Sequence, residues 1–180
     1  MAIVTLLLCF HSSKLAHCAR PAASWTVHLV YGMCMGWTVA WMEEWLFRGW
    51  LVDELKQDVP RKWAKLLSAI LFGVAHGSMH AWPGMVVLAL GLSAARDITQ
   101  GRIALPMGLH AGLVGTYYSV NAGGVLVMDA NKATWLTGHA HGNPLAGAIG
   151  LCVVSMLSAF LHVVAHRNRG KEPDLLVPIS

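Results

Sequence analysis

Charge is scarce in this sequence. Asp, Glu, Lys and Arg supply 12% of its 180 residues, against 56% hydrophobic. In soluble domains about a quarter of residues are charged, so an ordinary water-soluble domain is excluded, and a mean hydropathy of +0.53 agrees. Cysteine is also sparse: Cys9, Cys18, Cys34 and Cys152 form no CxxC pair and no zinc-finger pattern, which excludes a structural zinc module. Cys34 and Cys152 fall in uncharged stretches and read as small buried apolar residues. The chain has no HExxH, no internal repeat and no low-complexity segment. A net charge of +4 and a pI near 9.0 would suit nucleic acid, but the basic residues form no patch of that kind, so no nucleic-acid partner is expected.

What is there instead is a set of long uncharged runs. Residues 21–42, 66–95, 103–128 and 133–166 contain no Asp, Glu, Lys or Arg and together cover 112 of 180 positions. A helix crosses a bilayer with about 20 apolar residues, so the runs predict an all-α, polytopic transmembrane helical bundle of about five spans, at 24–51, 66–82, 84–95, 103–127 and 144–166. The expected partner is membrane lipid and the expected location an integral, multi-pass membrane position. Residues 24–166 then form the membrane domain and 167–180 a polar tail. Residues 1–23 begin apolar, but Lys14 and Arg20 follow the apolar stretch rather than precede it, a poor fit to a signal peptide; the alternative is the remnant of a longer parent. On this count Lys56, Arg61, Lys62, Lys65, Arg96, Arg102, Arg167, Arg169 and Lys171 share one side of the membrane, as the positive-inside rule requires. Gly32/Gly36, Gly73/Gly77 and Gly108/Gly112 are spaced as GxxxG pairs, a pattern that lets helices approach closely.

The chemistry is concentrated in Trp41-Met-Glu-Glu-Trp-Leu-Phe-Arg48. Ionisable residues at membrane depth are costly, face the bundle interior and find partners. Glu44 and Arg48 stand i, i+4 with the acid first, the better order for a helical ion pair. Glu43, about 100° round the helix, lacks that partner. Two carboxylates in different environments can take different roles. Counted from the basic side by helix rise, Glu43, His76 and His110 lie about 14, 15 and 10 Å deep. An acid and two imidazoles on three helices at similar depth point to a site.

Glu43-Glu44-x-x-x-Arg48, then Phe72-x-x-x-His76, then His110 resembles the CAAX protease and bacteriocin-processing family. These are intramembrane glutamic proteases that include the type II CAAX prenyl endopeptidases. The resemblance covers residues 40–155. It implies an all-helical membrane fold, no metal and no other cofactor, and a membrane-associated peptide or protein substrate, prenylated in some members. It also implies that Glu43 with His76 activates a water for attack on a peptide carbonyl, that His110 helps stabilise the oxyanion, and that Glu44, Arg48 and Phe72 support the geometry. One position departs from the pattern: the third motif usually continues HxxxN, and here Val114 stands at that place. Asn121 lies too deep to replace the amide. The segments 136–138 and 142–147 are similar to stretches in photosynthetic-lineage members, which implies a plastid or cyanobacterial membrane.

Three alternatives stand beside this reading. Val114 motivates a non-catalytic scaffold or regulator that keeps the polar cluster. His76 and His80, spaced i, i+4, could ligate zinc together with Glu43. The same acids and imidazoles could serve a transporter, although the spans show no repeated halves. His139 and His141 sit in a polar loop and His162 and His166 near the last helix's exit, both read as solvated or interfacial.

Overall fold

A computed structural model describes residues 16–18, 25–119, 126–128, 134–138 and 143–169. These form an all-helical protein, apart from two three-residue strands, β1 (Ala16–Cys18) and β2 (Leu126–Met128), paired antiparallel. The first long helix, α1 (Trp25–Glu43), runs without a break into a π-helical segment, Glu44–Leu51, and then α2 (Val52–Leu55). Helices α3 (Arg61–Ala75), α4 (Trp82–Ile98) and α5 (Ala104–Tyr117) follow. A short α6 (Thr134–Thr137), a 3₁₀ turn (Pro144–Ala146) and α7 (Ala148–Arg169) complete the described chain.

The bundle is built from two tight pairs, α1 with α5 and α4 with α7, and α3 lies on α4. Small residues make the first pair possible. A Cβ on Gly36 would stand 2.4 Å from the Gly115 nitrogen, and one on Gly32 would stand 2.6 Å from that of Ser119. The Gly32/Gly36 motif therefore does what its spacing predicts, although it meets Gly115 and not the Gly108/Gly112 pair. A Cβ added at Gly108 or Gly112 would meet nothing within 4 Å, so that pair carries no close packing. Gly77 is not a packing residue either. Its φ of +63° puts it in the left-handed region, where glycine ends helices, and α3 stops two residues before it.

The two pairs meet through leucine and alanine. Leu88, Leu92 and Val154 form one buried cluster with Leu109 and Leu113 packed on it, and Ala94, Ala95, Leu161 and Ala165 form another. At the latter end the charges gather. Arg96 makes two hydrogen bonds to Asp53, at 3.0 and 2.8 Å, while Arg61 and Lys65 both hold Asp97. The ends of α2 and α4 and the start of α3 are thereby tied together, the grouping expected of the 53–65 and 96–102 basic clusters.

Helix limits differ from the expected spans. The uncharged run continues through 76–82, but the helix ends at Ala75, because Gly77 turns the chain. Among the described residues one helix, over Ala148–Asn168, is long and apolar enough to cross a membrane by itself. Cys34 and Cys152 are exposed, contrary to the buried positions expected: each lies on an outward helix face, and in an apolar bundle low charge no longer separates inside from outside. Residues 1–15 and 19–23 of the N-terminal segment, Asn121, His139, His141 and the tail beyond Arg169 lie outside the described residues.

Candidate active site

The π-helical segment positions the acids. A wider turn of this kind inside an α-helix is rare and marks functional sites; here it begins at Glu44, directly after Glu43. Its carbonyls are partly satisfied from outside, since the Ser68 hydroxyl donates to the Phe47 carbonyl at 2.7 Å. That bond ties the segment to α3, which carries Phe72 and leads into His76.

Glu44, Arg48 and His110 form a buried trio. Arg48 Nη1 donates to Glu44 Oε1 at 2.9 Å, and the same oxygen accepts from His110 Nδ1 at 2.8 Å. Glu44 is 0% exposed, Arg48 1% and His110 2%. Charges this deep persist only when paired and hydrogen-bonded. The guanidinium lies 4.2 Å from the centre of the Phe72 ring, a cation–π contact that adds to the pairing. Phe72 itself is fully buried and meets Phe47 edge-on at 5.2 Å, His76 at 4.5 Å and His110 at 5.9 Å. It is the wall against which the cluster is assembled.

Glu43 and His76 are different: their side chains are each 25% exposed. His76 Nε2 stands 3.7 Å from Glu43 Oε1, and His110 Nε2 stands 3.6 Å from Glu43 Oε2. Both distances are too long for direct hydrogen bonds. The His76 tautomer follows from its other nitrogen. Nδ1 lies 2.8 Å from the Phe72 carbonyl, an acceptor, so Nδ1 carries the proton and neutral His76 presents a lone pair at Nε2. The Phe72-x-x-x-His76 spacing thus supplies both the ring's support and its orientation. In the same way Glu44 requires a proton on His110 Nδ1, which leaves Nε2 directed at Glu43.

All three groups line a cavity of about 380 Å³. The rest of its wall is mostly apolar, with Leu88 from α4, Leu113 and Val114 from α5, and Val154 and Leu157 from α7. The structure therefore brings together every expected site residue: Glu43, His76, His110, Glu44, Arg48 and Phe72. It does not support the zinc alternative, because α3 ends at Ala75 and His76 and His80 share no helical face. Val114 lines the cavity one turn beyond His110, as its spacing predicts. The sequence reading missed the π-helical segment and the cavity wall supplied by the 143–145 stretch. The Asn-Pro step ahead of an apolar helix was the available signal for the latter.

Residues 23–115, just over half the chain, match the family model for "Type II CAAX prenyl endopeptidase Rce1-like". No curated protein and no solved structure matches.

Proposed function

From the premise that the chain belongs to the type II CAAX prenyl endopeptidase Rce1-like family, we propose that it is a metal-independent endopeptidase in which Glu43 and His76 activate water. The family is membrane-embedded, and its CAAX proteases act on membrane-associated proteins. The observation that carries the reading is the meeting of Glu43, His76 and His110 in the wall of a mostly apolar cavity.

The chemistry follows from donors and acceptors. The Glu43 carboxylate and the His76 Nε2 lone pair are both acceptors, 3.7 Å apart. One water oxygen fits within about 2.8 Å of each and donates one O–H to each. Its own lone pair is then left for a peptide carbonyl. As the C–O bond forms, Glu43 takes the proton and later returns it to the leaving amine, general acid–base work contributing about 100- to 10,000-fold. His110 commits its Nδ1–H to Glu44, so it donates from Nε2 to the oxyanion in its doubly protonated form. Glu44 keeps that ring fixed and compensates its charge, and Arg48 holds Glu44 in place.

The apolar walls favour a lipidated or hydrophobic peptide segment. The outward face of α1, with Trp37 and Trp41, and the adjoining Trp45 are each more than half exposed, consistent with lipid contact and with the five-span arrangement. Val114 favours a second reading, a non-catalytic scaffold, because it leaves a cavity position apolar where the family pattern has an amide.

The test is cleavage of a prenylated CAAX peptide by the purified chain in detergent, with and without a strong chelator. Activity should survive chelation, since no ion is needed to lower the water's pKa. Activity abolished by the chelator and restored by zinc would contradict the mechanism.

A further inference from the structure

The cavity has one carboxamide among its described lining residues, Asn143. It precedes the 3₁₀ turn with an extended backbone (φ −139°, ψ 119°), and its Oδ1 accepts the Leu145 N–H at 2.9 Å. That bond decides which way the amide faces. The oxygen is committed to the turn, and among the described residues the NH₂ group has no acceptor.

The segment carrying it is held firmly. A Cβ on Gly150 would stand 2.0 Å from the Pro144 carbonyl oxygen, and one on Gly84 would stand 2.7 Å from that of Leu145. Neither contact leaves the turn room to shift against α4 or α7. Asn143 is thus a preorganised donor, and the other donor assigned among the described lining residues, His110 Nε2, is committed to the oxyanion. Glu43 and neutral His76 present acceptors there, and Tyr117 and Tyr118 also line the cavity. A peptide entering an apolar cavity brings main-chain carbonyls that lose water, which is costly unless each meets a donor.

We propose that Asn143 is a substrate-binding residue, whose NH₂ donates to a main-chain carbonyl of the peptide held in the cavity. The assignment rests on the protease reading above.

Binding is separated from turnover by using the full chain with Glu43→Gln, titrated against a fluorescent prenylated CAAX peptide and read by anisotropy. Asn143→Ser and Asn143→Asp are added singly. Each keeps an oxygen to accept the Leu145 N–H, and neither keeps the amide donor; one is neutral and the other charged, so a shared effect is not electrostatic. Both should weaken Kd about tenfold, the upper range for one hydrogen bond, with the melting temperature unchanged. Affinity within twofold of the parent in either variant, or affinity lost only together with the folded state, makes Asn143 a turn cap and overturns the assignment. A folded Glu43→Gln chain that binds no peptide at all sinks the protease reading itself, and the role of Asn143 with it.

Discussion

Glu43 and Glu44 are neighbours in sequence and occupy opposite environments. Glu44 is 0% exposed and shares one oxygen between Arg48 and His110, whereas Glu43 is 25% exposed and makes no contact shorter than 3.6 Å to either imidazole. The difference comes from helix geometry, since adjacent residues point about 100° apart, and from the packing of α5 and α3 on that helix. The buried acid holds the framework, and the cavity-facing acid is left for chemistry. A carboxylate already engaged by an arginine and a histidine would be a poor base.

The strongest way to break this division is to remove the arginine. Arg48→Met leaves Glu44 buried with only His110 to balance it. Removing one partner of a buried pair costs about 3–5 kcal/mol, so denaturant unfolding in detergent should move by that much. Adding Glu44→Gln should recover most of the loss. A change below about 1 kcal/mol would mean that the pair is wetter than its geometry implies.

Val114→Asn sharpens the other half. The new amide would line the cavity one turn beyond His110 and face the reaction rather than a packed interior. Oxyanion donors are worth about 100- to 1,000-fold when removed, and a donor added without a refined environment should recover part of that, about tenfold in kcat. An unchanged or lower kcat in a folded variant would support the scaffold reading.

The smallest effect belongs to the ion pairs at the charged end, which act as a wet counterpart to the buried trio. The hydrogen bonds from Arg96 chiefly hold the Asp53 carboxyl below its ordinary value, with Lys56 adding to this and partial burial opposing it. A depressed carboxyl stabilises the fold above its unfolded pKa of about 4 and loses that contribution as pH falls through the lower folded value. Because the Asp53 side chain is 49% exposed, the loss on acidification below about pH 4 should stay under about 1 kcal/mol and shrink further in high salt. An Asp53→Asn variant should flatten that part of the stability–pH curve; an unaltered curve would show that the pair contributes nothing measurable.

The site was more legible than the scaffold. Glu44 and Arg48 are related by i, i+4 spacing, so local geometry predicts their pairing before any fold is known, whereas Phe72 entered only through the family resemblance. The convergence of Glu43, His76 and His110 needed only a depth estimate, whereas the bond from His110 to Glu44 was not anticipated. The π-helical segment had no local signature, because its extra residue per turn is sustained by tertiary contacts such as the Ser68–Phe47 bond. Helix ends were misjudged where a lack of charge and backbone conformation disagree. Residues 76–82 remain without Asp, Glu, Lys or Arg, but Gly77 at φ +63° ends the helix. Glycine spacing proved a partial guide: Gly32 and Gly36 pack closely, whereas Gly108 and Gly112 meet nothing, and spacing alone does not say which face another helix will cover.

One paired measurement tests whether the two adjacent acids have separate duties. Cleavage of a prenylated CAAX peptide and thermal unfolding are followed side by side for Glu43→Gln and Glu44→Gln. Glu43→Gln should lose about 100- to 10,000-fold in kcat with its melting temperature within a few degrees of the parent. Glu44→Gln should lower the melting temperature clearly, because it leaves Arg48 buried without a countercharge. Equal loss of stability in both variants, or full cleavage activity in a folded Glu43→Gln chain, would contradict the account.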